Sequence, residues 1–346
     1  MKRISHNELI RFGVEVLSRY GVNRTDAKII VENLVLANLR GKDSHGIIRL
    51  YYYIEDMKRN YINPRPKIKM IKERKHYALI DGDNGFGQVV ALRATELAIE
   101  KAKENDIALV AAKNLSHVGI LAYYIMRIIN NAMAGFATAN TDPAIAPPCA
   151  RVAALGTNPI AIGVPTEGAL PPIILDMALS VVSGGRILLA ARRGEKIPLG
   201  WAIDSQGRPT NDPREALKGA LLPMGGHKGY GLALMIDILC GIVIGGGYSL
   251  KIRPGWSSQG GFLVSALKID SFRNSEEYYT EINEYVKRIK TLPLVEGCKE
   301  VFIPGEQSFK VMQERLKKGI PLDEDTWSML SKLAQEAGVE MPKTLP

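Results

Sequence analysis

Apolar positions at the start of the chain recur at helical spacing. Leu9, Phe12, Val16, Leu17 and Tyr20 fall on one face, Ser5 and Glu8 form a capping box ahead of them, and Gly21 stands where a helix would stop. The same period predicts a second helix over residues 26–40, ended by Gly41, and a third from Ser44 to about Arg59. Asn63-Pro64-Arg65-Pro66 breaks this run and marks a domain boundary. Beyond it the pattern alternates. Strands are predicted over residues 67–71, 76–81, 107–113 and 134–139, and helices over 88–104 and 119–131. Such alternation implies an α/β layer.

The middle of the chain is rich in glycine and proline. Residues 160–164, 173–176 and 261–269 predict further strands, and Asp204-Ser205-Gln206-Gly207 predicts a turn. The most apolar stretch, residues 230–247, contains Asp237 and ends in three glycines. A membrane span needs about 20 apolar residues, so this stretch is expected to be a buried core helix. Helices return over 276–290, 307–318 and 323–337. These last segments are expected to pack on the N-terminal helices. The predicted organisation is a helical domain, residues 1–72 completed by 307–346, beside an α/β domain of residues 73–306.

Composition adds limits. The chain has 346 residues, 46% hydrophobic and 23% charged, which suits an ordinary globular protein of about two domains. A net charge of +9 fits either an enzyme for anionic ligands or a nucleic-acid binder. No recognised nucleic-acid motif accompanies the charge, and the basic residues are scattered apart from residues 65–75 and Arg192-Arg193. The three cysteines, Cys149, Cys240 and Cys298, form no CxxC pair and fit a reducing cytoplasm rather than a disulfide framework or a zinc site. The N-terminal residues lack the apolar core of a signal peptide.

Five short clusters can carry chemistry. Gly85-Phe86-Gly87 follows a strand and precedes a helix, yet position 90 is Val and no acidic residue closes the next strand. The dinucleotide fingerprint is therefore incomplete, and a plain strand-to-helix turn is expected. Ser44, His45, Arg49 and Tyr52 or Tyr53 would share one side of a helix, with Ser44 at its start. Arg49 can clamp a carboxylate there while an imidazole meets a second oxygen. A capped helix with a surface Arg–Tyr stack would give the same pattern. His117, in Asn114-Leu115-Ser116-His117-Val118-Gly119, sits at a strand end, where α/β folds place their sites. Its imidazole suits proton exchange near neutrality, though a lone loop histidine is more often structural. Asn140-Thr141-Asp142-Pro143 follows another strand; Asp142 can orient a histidine and Thr141 can touch a ligand, or the four residues are simply a turn. Gly225-Gly226-His227-Lys228-Gly229 offers backbone N–H groups and one cation to a phosphate, without being a Walker motif, or is a helix entry loop. HExxH, GxSxG and paired Cys/His motifs are missing, so hydrolase and metalloenzyme readings fit poorly and no metal is expected.

Ser44-His45-Gly46 with Arg49, Ser116-His117-Val118-Gly119 with Tyr123-Tyr124, Leu155-Gly156-Thr157-Asn158-Pro159, Leu175-Asp176-Met177-Ala178 and Gly226-His227-Lys228-Gly229 occur in this order. The set resembles the type-2 malate/L-lactate dehydrogenase family over nearly the whole chain. Residues 33–83 look most like its archaeal malate and sulfolactate dehydrogenase branch. The resemblance implies a non-Rossmann nicotinamide-binding α/β domain with a mixed sheet, packed with a helical domain formed by both chain ends. It implies a homodimer, NAD or NADP as cofactor, and hydride transfer to or from a small 2-hydroxy or 2-oxo acid such as malate, with sulfolactate, lactate or a related acid as the alternative. By the same resemblance His117 and His45, assisted by Asp142, are the catalytic candidates. Arg49, Tyr53 and Ser44 would meet the substrate. Thr141, Asp176, Met177, Ala178, Lys228, Pro304, Gly305 and Glu306 would meet the cofactor. Arg186 or Arg192 is a candidate for a ribose 2′-phosphate, and Arg253 or Lys228 for a second acid group on the substrate.

Overall fold

The structure, a computed structural model, describes residues 2–168, 170–255 and 259–345. Its first half runs β1 (Lys2–Ile4), α1 (His6–Arg19), α2 (Arg24–Leu39), α3 (Arg49–Lys58), β2 (Lys69–Glu73), β3 (Tyr77–Gly85), α4 (Gly87–Asn105), β4 (Ile107–Leu115), α5 (Ala122–Ile129), β5 (Met133–Ala139) and β6 (Ile160–Val164). The second half runs β7 (Ile173–Met177), α6 (Gly184–Arg193), β8 (Ala202–Ile203), α7 (Pro213–Ala216), β9 (Ala220–Leu221), α8 (His227–Ile236), β10 (Gly260–Lys268), α9 (Ser275–Lys290), α10 (Glu306–Lys318), β11 (Ile320–Leu322) and α11 (Glu324–Ala337).

Seven strands make one mixed sheet in the order β2-β3-β4-β10-β5-β6-β7. β3 and β4, joined through α4, run parallel, and the other neighbouring pairs run antiparallel. The two-residue side-chain period is clear in β4. Ala108, Val110 and Ala112 are buried in the core shared with α4 and α5, while Ile107 and Leu109 on the opposite face are exposed. The turn at Gly85-Phe86-Gly87 is a strand-to-helix connection. A Cβ at Gly87 would lie 2.0 Å from the Ser116 carbonyl oxygen, so the glycine serves a crossing of two backbones and leaves no space there for a pyrophosphate.

A second core joins the two chain ends. Leu9, Phe12 and Leu17 of α1, Ile30 and Leu34 of α2, and Leu330 and Leu333 of α11 share one buried cluster. β1 pairs with β11, with Ile4 opposite Ile320. The Ser5 hydroxyl caps α1 by accepting from Glu8 N–H at 3.2 Å. α10 packs against α2. α9 does not join this layer; the Tyr278 hydroxyl donates to Pro165 O at 2.9 Å, which ties α9 to the loop after β6.

Two predicted helices need correction. The third does not run unbroken from Ser44. Residues Asp43–His45 form one 3-10 turn, Gly46 is extended (φ −84°, ψ −157°), and the α-helix starts at Arg49. The cause is Asn38, whose Oδ1 accepts from Ile47 N–H at 2.7 Å and whose Nδ2 donates to Asp43 Oδ1 at 2.7 Å. These bonds compete with helical ones and break the helix. The apolar stretch over 230–247 is helical but not a buried core helix. α8 continues as a π-helix, Asp237–Val243, and Leu232, Met235, Leu239, Ile242 and Val243 are exposed. α6 and α7 had no counterpart in the hydrophobic pattern.

Candidate active site

Ser116 and His117 leave the end of β4 in a loop held from several sides. Ser116 Oγ accepts from Gly87 N–H at 3.0 Å. Asn33, fully buried on α2, brackets the next turn. Its Oδ1 accepts from Ile120 N–H at 3.2 Å, and its Nδ2 donates to the carbonyls of Val118 and Ile120, both at 3.4 Å. Gly119 has φ +73°, and a Cβ there would lie 1.9 Å from Asn33 Oδ1, so only glycine fits. The imidazole of His117 is fixed in turn. Its Nδ1 lies 2.8 Å from the Tyr53 hydroxyl and accepts from Gly119 N–H at 3.2 Å. A backbone N–H can only donate, so Nδ1 carries the lone pair. The proton of the neutral ring therefore sits on Nε2.

His45 reaches the same place from the 3-10 turn before α3. The His45 and His117 ring centroids are 5.6 Å apart, tilted by 34°. Ser44 Oγ pairs with His45 Nδ1 at 3.0 Å. Arg49, in the first turn of α3 and 8% exposed, donates from Nε to Ser44 O at 2.8 Å. One hydrogen bond thus ties the guanidinium to the histidine turn. Tyr53, one further turn along α3, is fully buried beneath His117.

Electrostatics follow from this packing. Burial, with the Arg49 and Lys42 charges added, pushes His45 down to about 3. Burial, Arg49 and His45 together hold His117 well below its ordinary value. Burial lifts the Tyr53 phenol to about 12. Both imidazoles are thus neutral near pH 7 until an anion enters. A bound carboxylate would offset Arg49 and favour their protonated forms.

These side chains line a cavity of about 670 Å³, within the usual range for small-molecule sites. Ser44, His45, Arg49 and His117 form one wall; Thr141, Asp142, Asp176, Met177 and Ala178 also line it. A shallower groove near Cys149 and Gly225 lies away from the histidines and has no comparable chemistry. Asp176, at the end of β7, accepts from Ala122 N–H at 2.9 Å, and burial raises its carboxyl above the usual range against the pull of that bond and of Arg40 and Lys42. Asp142 accepts from Gly255 N–H at 3.2 Å and acts on Arg49 through its charge. The Nδ1 atoms of the two histidines are held by Ser44 and Tyr53, which do the orienting that the sequence pattern suggested for Asp142.

Lys228, Pro304, Gly305 and Glu306 are not on this wall. Lys228 is exposed at the start of α8, four residues beyond Met224, which does line the cavity. Pro304 O accepts from Ile174 N–H at 3.1 Å, which lays residues 304–306 along β7, the strand that carries Asp176. The Glu306 carboxylate is engaged by Lys290 at 2.7 Å and by Ile303 N–H at 3.1 Å. Arg253 stacks 3.2 Å above the Tyr61 ring, and Arg192 pairs with Asp325 at 3.2 Å. The cations on the wall besides Arg49 are Lys42 and Arg186. Arg186 also lies 5.4 Å from the Trp201 ring, and Gly185 before it packs so closely on Ser44 that a Cβ would lie 2.4 Å from Ser44 Cβ.

Sequence reasoning missed Asn33, Asn38 and Gln88 and named Asn140 only as part of a loop cluster, without a role; all four are buried. Asn140 donates to Asp237 Oδ1 at 2.8 Å and to Gly247 O at 2.7 Å, which anchors the loop bearing Thr141 and Asp142. The available signal was an uncharged polar residue inside an apolar stretch, since buried amides are retained where they have partners.

The family model described as malate/L-lactate dehydrogenase matches residues 4–331. Malate dehydrogenase from Pyrococcus abyssi is 41% identical, over 98% of this chain and 96% of its own. The solved sulfolactate dehydrogenase of Methanocaldococcus jannaschii superposes with a TM-score of 0.91 at 39% identity, covering 98% of each chain. The solved malate dehydrogenase of Pyrococcus horikoshii gives 0.90 at 39% identity, covering 98% of this chain and 96% of that one. A chain matched along its length in both sequence and fold, with two histidines and a buried arginine in one cavity, belongs to the malate/L-lactate dehydrogenase family of nicotinamide-dependent oxidoreductases.

Proposed function

We propose that this protein interconverts malate and oxaloacetate in the cavity between His45, His117 and β7. The observation that carries this reading is the buried Arg49 beside two neutral imidazoles. Arg49 clamps the 1-carboxylate, which sets the 2-oxygen against His117 Nε2. His45, held by Ser44, flanks that oxygen and the clamp. Tyr53 supports His117 from below, and Asp142 steadies the Arg49 charge. A bound nicotinamide would supply or accept the hydride. Thr141, Asp176, Met177 and Ala178 are assigned to it. The cavity's volume and its open space around Gly184, where a Cβ would meet nothing within 4 Å, fit such a group. Lys228 and Pro304-Gly305-Glu306 are assigned to the cofactor's outer part, at the rim. Acid/base assistance of this kind contributes roughly 10²–10⁴-fold to rate.

Lys42 and Arg186 suit the second acid group of the substrate, and Arg186 equally suits a ribose 2′-phosphate. This arrangement accepts a sulfonate as well as a carboxylate, so sulfolactate is the second reading. Arg49, Lys42 and Arg186 all line this cavity, so the net charge of +9 fits an anionic small-molecule substrate. The active species is a homodimer, joined through the exposed apolar face of residues 232–243.

The test is a kinetic panel of malate, sulfolactate, lactate and 2-hydroxyglutarate with NAD and with NADP, compared by kcat/KM. Malate should lead. In parallel, His117→Ala should slow single-turnover reduction of oxaloacetate by about 10²-fold or more. A near wild-type rate would remove His117 as the proton carrier.

A further inference from the structure

Asn33, Ala37 and Arg40 recur at helical spacing along α2, on the face that packs against the turn after His117. Asn33 brackets that turn, and Ala37 shares a core cluster with Val118, Ile120, Leu121 and Ala122. Arg40, which ends the helix, is 6% exposed and stands behind the cavity wall rather than on it. Its guanidinium makes no hydrogen bond or ion pair among the described residues. The charge that acts on it is that of Asp176, across a gap. A buried cation without a touching partner is costly and calls for an explanation.

Asp176 supplies one. It is half-buried against the cavity at the end of β7, and its Oδ2 accepts from Ala122 N–H at 2.9 Å. Its Oδ1 takes no donor among the described residues. A salt bridge to Arg40 would occupy that oxygen. Charge acting across a gap favours the carboxylate and leaves the oxygen free for a donor from outside. Burial works the other way and raises the Asp176 carboxyl; Arg40, at the end of α2, and Lys42, in the turn after it, oppose it. Lys42 is exposed and screened by water, so the buried Arg40 is the stronger support. The cavity wall also carries His45, Arg49, His117, Asp142 and Arg186. Tyr123 and Arg127 come from α5, which packs on β7, and Glu306 beside β7 is held by Lys290.

We propose that Arg40 is a positioning residue that keeps Asp176 ionised with one oxygen free to accept a hydrogen bond from the cofactor. The donor is neutral, because a cation at that oxygen would meet the charges of Arg40 and Lys42 as well. A nicotinamide cofactor offers two such donors, its carboxamide N–H and its ribose hydroxyls. A protonated Asp176 would present them only a weaker, uncharged acceptor. Arg40 thus acts through Asp176 and touches no ligand itself. The identity of the donor rests on the dehydrogenase reading of the site; the ionisation of Asp176 does not.

Side-chain ¹³C NMR of the aspartates in the full, ligand-free chain reports that carboxyl directly, with Asp176 assigned by its loss in Asp176→Asn. Removing a nearby cation raises a carboxyl, so Arg40→Met should move the Asp176 titration upward by about one pH unit, and Arg40→Lys should return it toward wild type. If Arg40→Met does not fold, Arg40→Gln removes the same charge and is read the same way. Calorimetric titration with NAD, or with NADP if NAD does not bind, follows affinity without turnover. Binding should weaken as pH falls, and the weakening should begin higher in Arg40→Met, leaving it as much as ~10-fold weaker at acid pH and near wild type at pH 8.5. The 3-acetylpyridine analogue of the cofactor lacks the amide N–H. A wild-type preference for the natural cofactor that vanishes in Asp176→Asn assigns the carboxamide as donor, and an equal loss for both assigns a ribose hydroxyl. The same Asp176 titration in wild type and the charge-removing variant, with only a lowered Tm, would overturn the proposal and leave Arg40 a packing residue. A displaced titration with unmoved cofactor affinity would overturn it too, since Asp176 would then accept nothing from that ligand. Both shifts without turnover of any 2-hydroxy acid would instead sink the substrate reading and spare this one.

Discussion

Arg49 is the residue on which substrate orientation turns. The residue is 8% exposed and its Nε is anchored to Ser44 O, which fixes the plane of the guanidinium. Arg49→Lys keeps the charge but loses the planar fork, and should raise KM for the 2-oxo acid about 10-fold or more while cofactor affinity is unchanged. A KM within twofold of wild type would place the carboxylate elsewhere. The histidines carry a second, thermodynamic consequence. His45 is held at about 3 when folded, against ~6.5 when unfolded. Between those values the unfolded chain binds a proton that the folded one refuses, so stability is complete above pH 6.5 and is lost as pH falls toward 3. The slope is at most ~1.4 kcal/mol per pH unit, and smaller because the ring faces a cavity that water can enter. Denaturant titrations at pH 7 and pH 5 should therefore show a smaller loss in His45→Asn than in wild type; equal losses would mean that His45 is not a source of acid lability. Much of this residue scale was legible beforehand, because His45, Arg49 and His117 are chemically distinctive types beside glycines. Asn33, Asn38 and Gln88 were not, since their value lies in partners 5 to 87 residues away that no local pattern displays.

At the scale of elements the hydrophobic period served well wherever a segment buries one face. β6 begins and ends where its apolar run does, and β5 and β10 lie within a residue of expectation. It failed where side chains override the backbone. The turn between α2 and α3 shows why. Residues 44–59 carry a continuous helical pattern, yet Asn38 inserts its amide between Asp43 and Ile47 and unwinds the first turn. Gly46 makes the insertion possible, because a Cβ there would lie 2.3 Å from Asn38 Nδ2. Without the break, His45 would continue the α3 helix instead of turning in beside His117. Gly46→Ala should therefore do two things. It should cost about 1–3 kcal/mol through overpacking, and it should reduce kcat/KM by more than the stability loss explains, because His45 and Arg49 share that turn. Thermal denaturation together with kinetics well below Tm would separate the two effects; a stable variant with unchanged kcat/KM would show that the turn's geometry is not needed. α6 was missed for a related reason. It opens with Gly184-Gly185, poor helix formers that a propensity argument discounts, and Gly185 is needed for close approach to Ser44.

For the molecule as a whole, the sequence carries a helical period at both ends and an alternating one between them, while the buried residues fall into several clusters, one of which joins α1, α2 and α11. The surface was less legible, because an apolar stretch with one face left exposed and a stretch buried wholly in its own core look alike along the chain. Residues 230–247 are the instance. They were expected to be wholly internal, yet Met235 is 54%, Ile242 60% and Val243 70% exposed. Leu232 and Leu239 extend the same exposed strip along α8 and the π-helix after it. The opposite side is anchored in the core by Ala233, Ile236 and Cys240 and by the buried hydrogen bonds of Asp237 to Asn140 and Ser249. A helix pinned on one face cannot roll to hide the other. Contiguous apolar surface on such a rigid element marks an interface, and a self-complementary helix face suits a two-fold axis. The strip also lies on the helix that follows Met224, a cavity residue, and on the π-helix whose buried side carries the Asp237 that holds Asn140 beside Thr141. Covering it would stiffen one side of the site. Light scattering should give twice the chain mass for wild type. Replacing Met235 and Val243 together by Glu, which places charge on the strip without touching the buried face, should yield a monomer with reduced kcat and a retained fold by circular dichroism. A wild-type protein that remains monomeric at high concentration would assign this face to some other occupant.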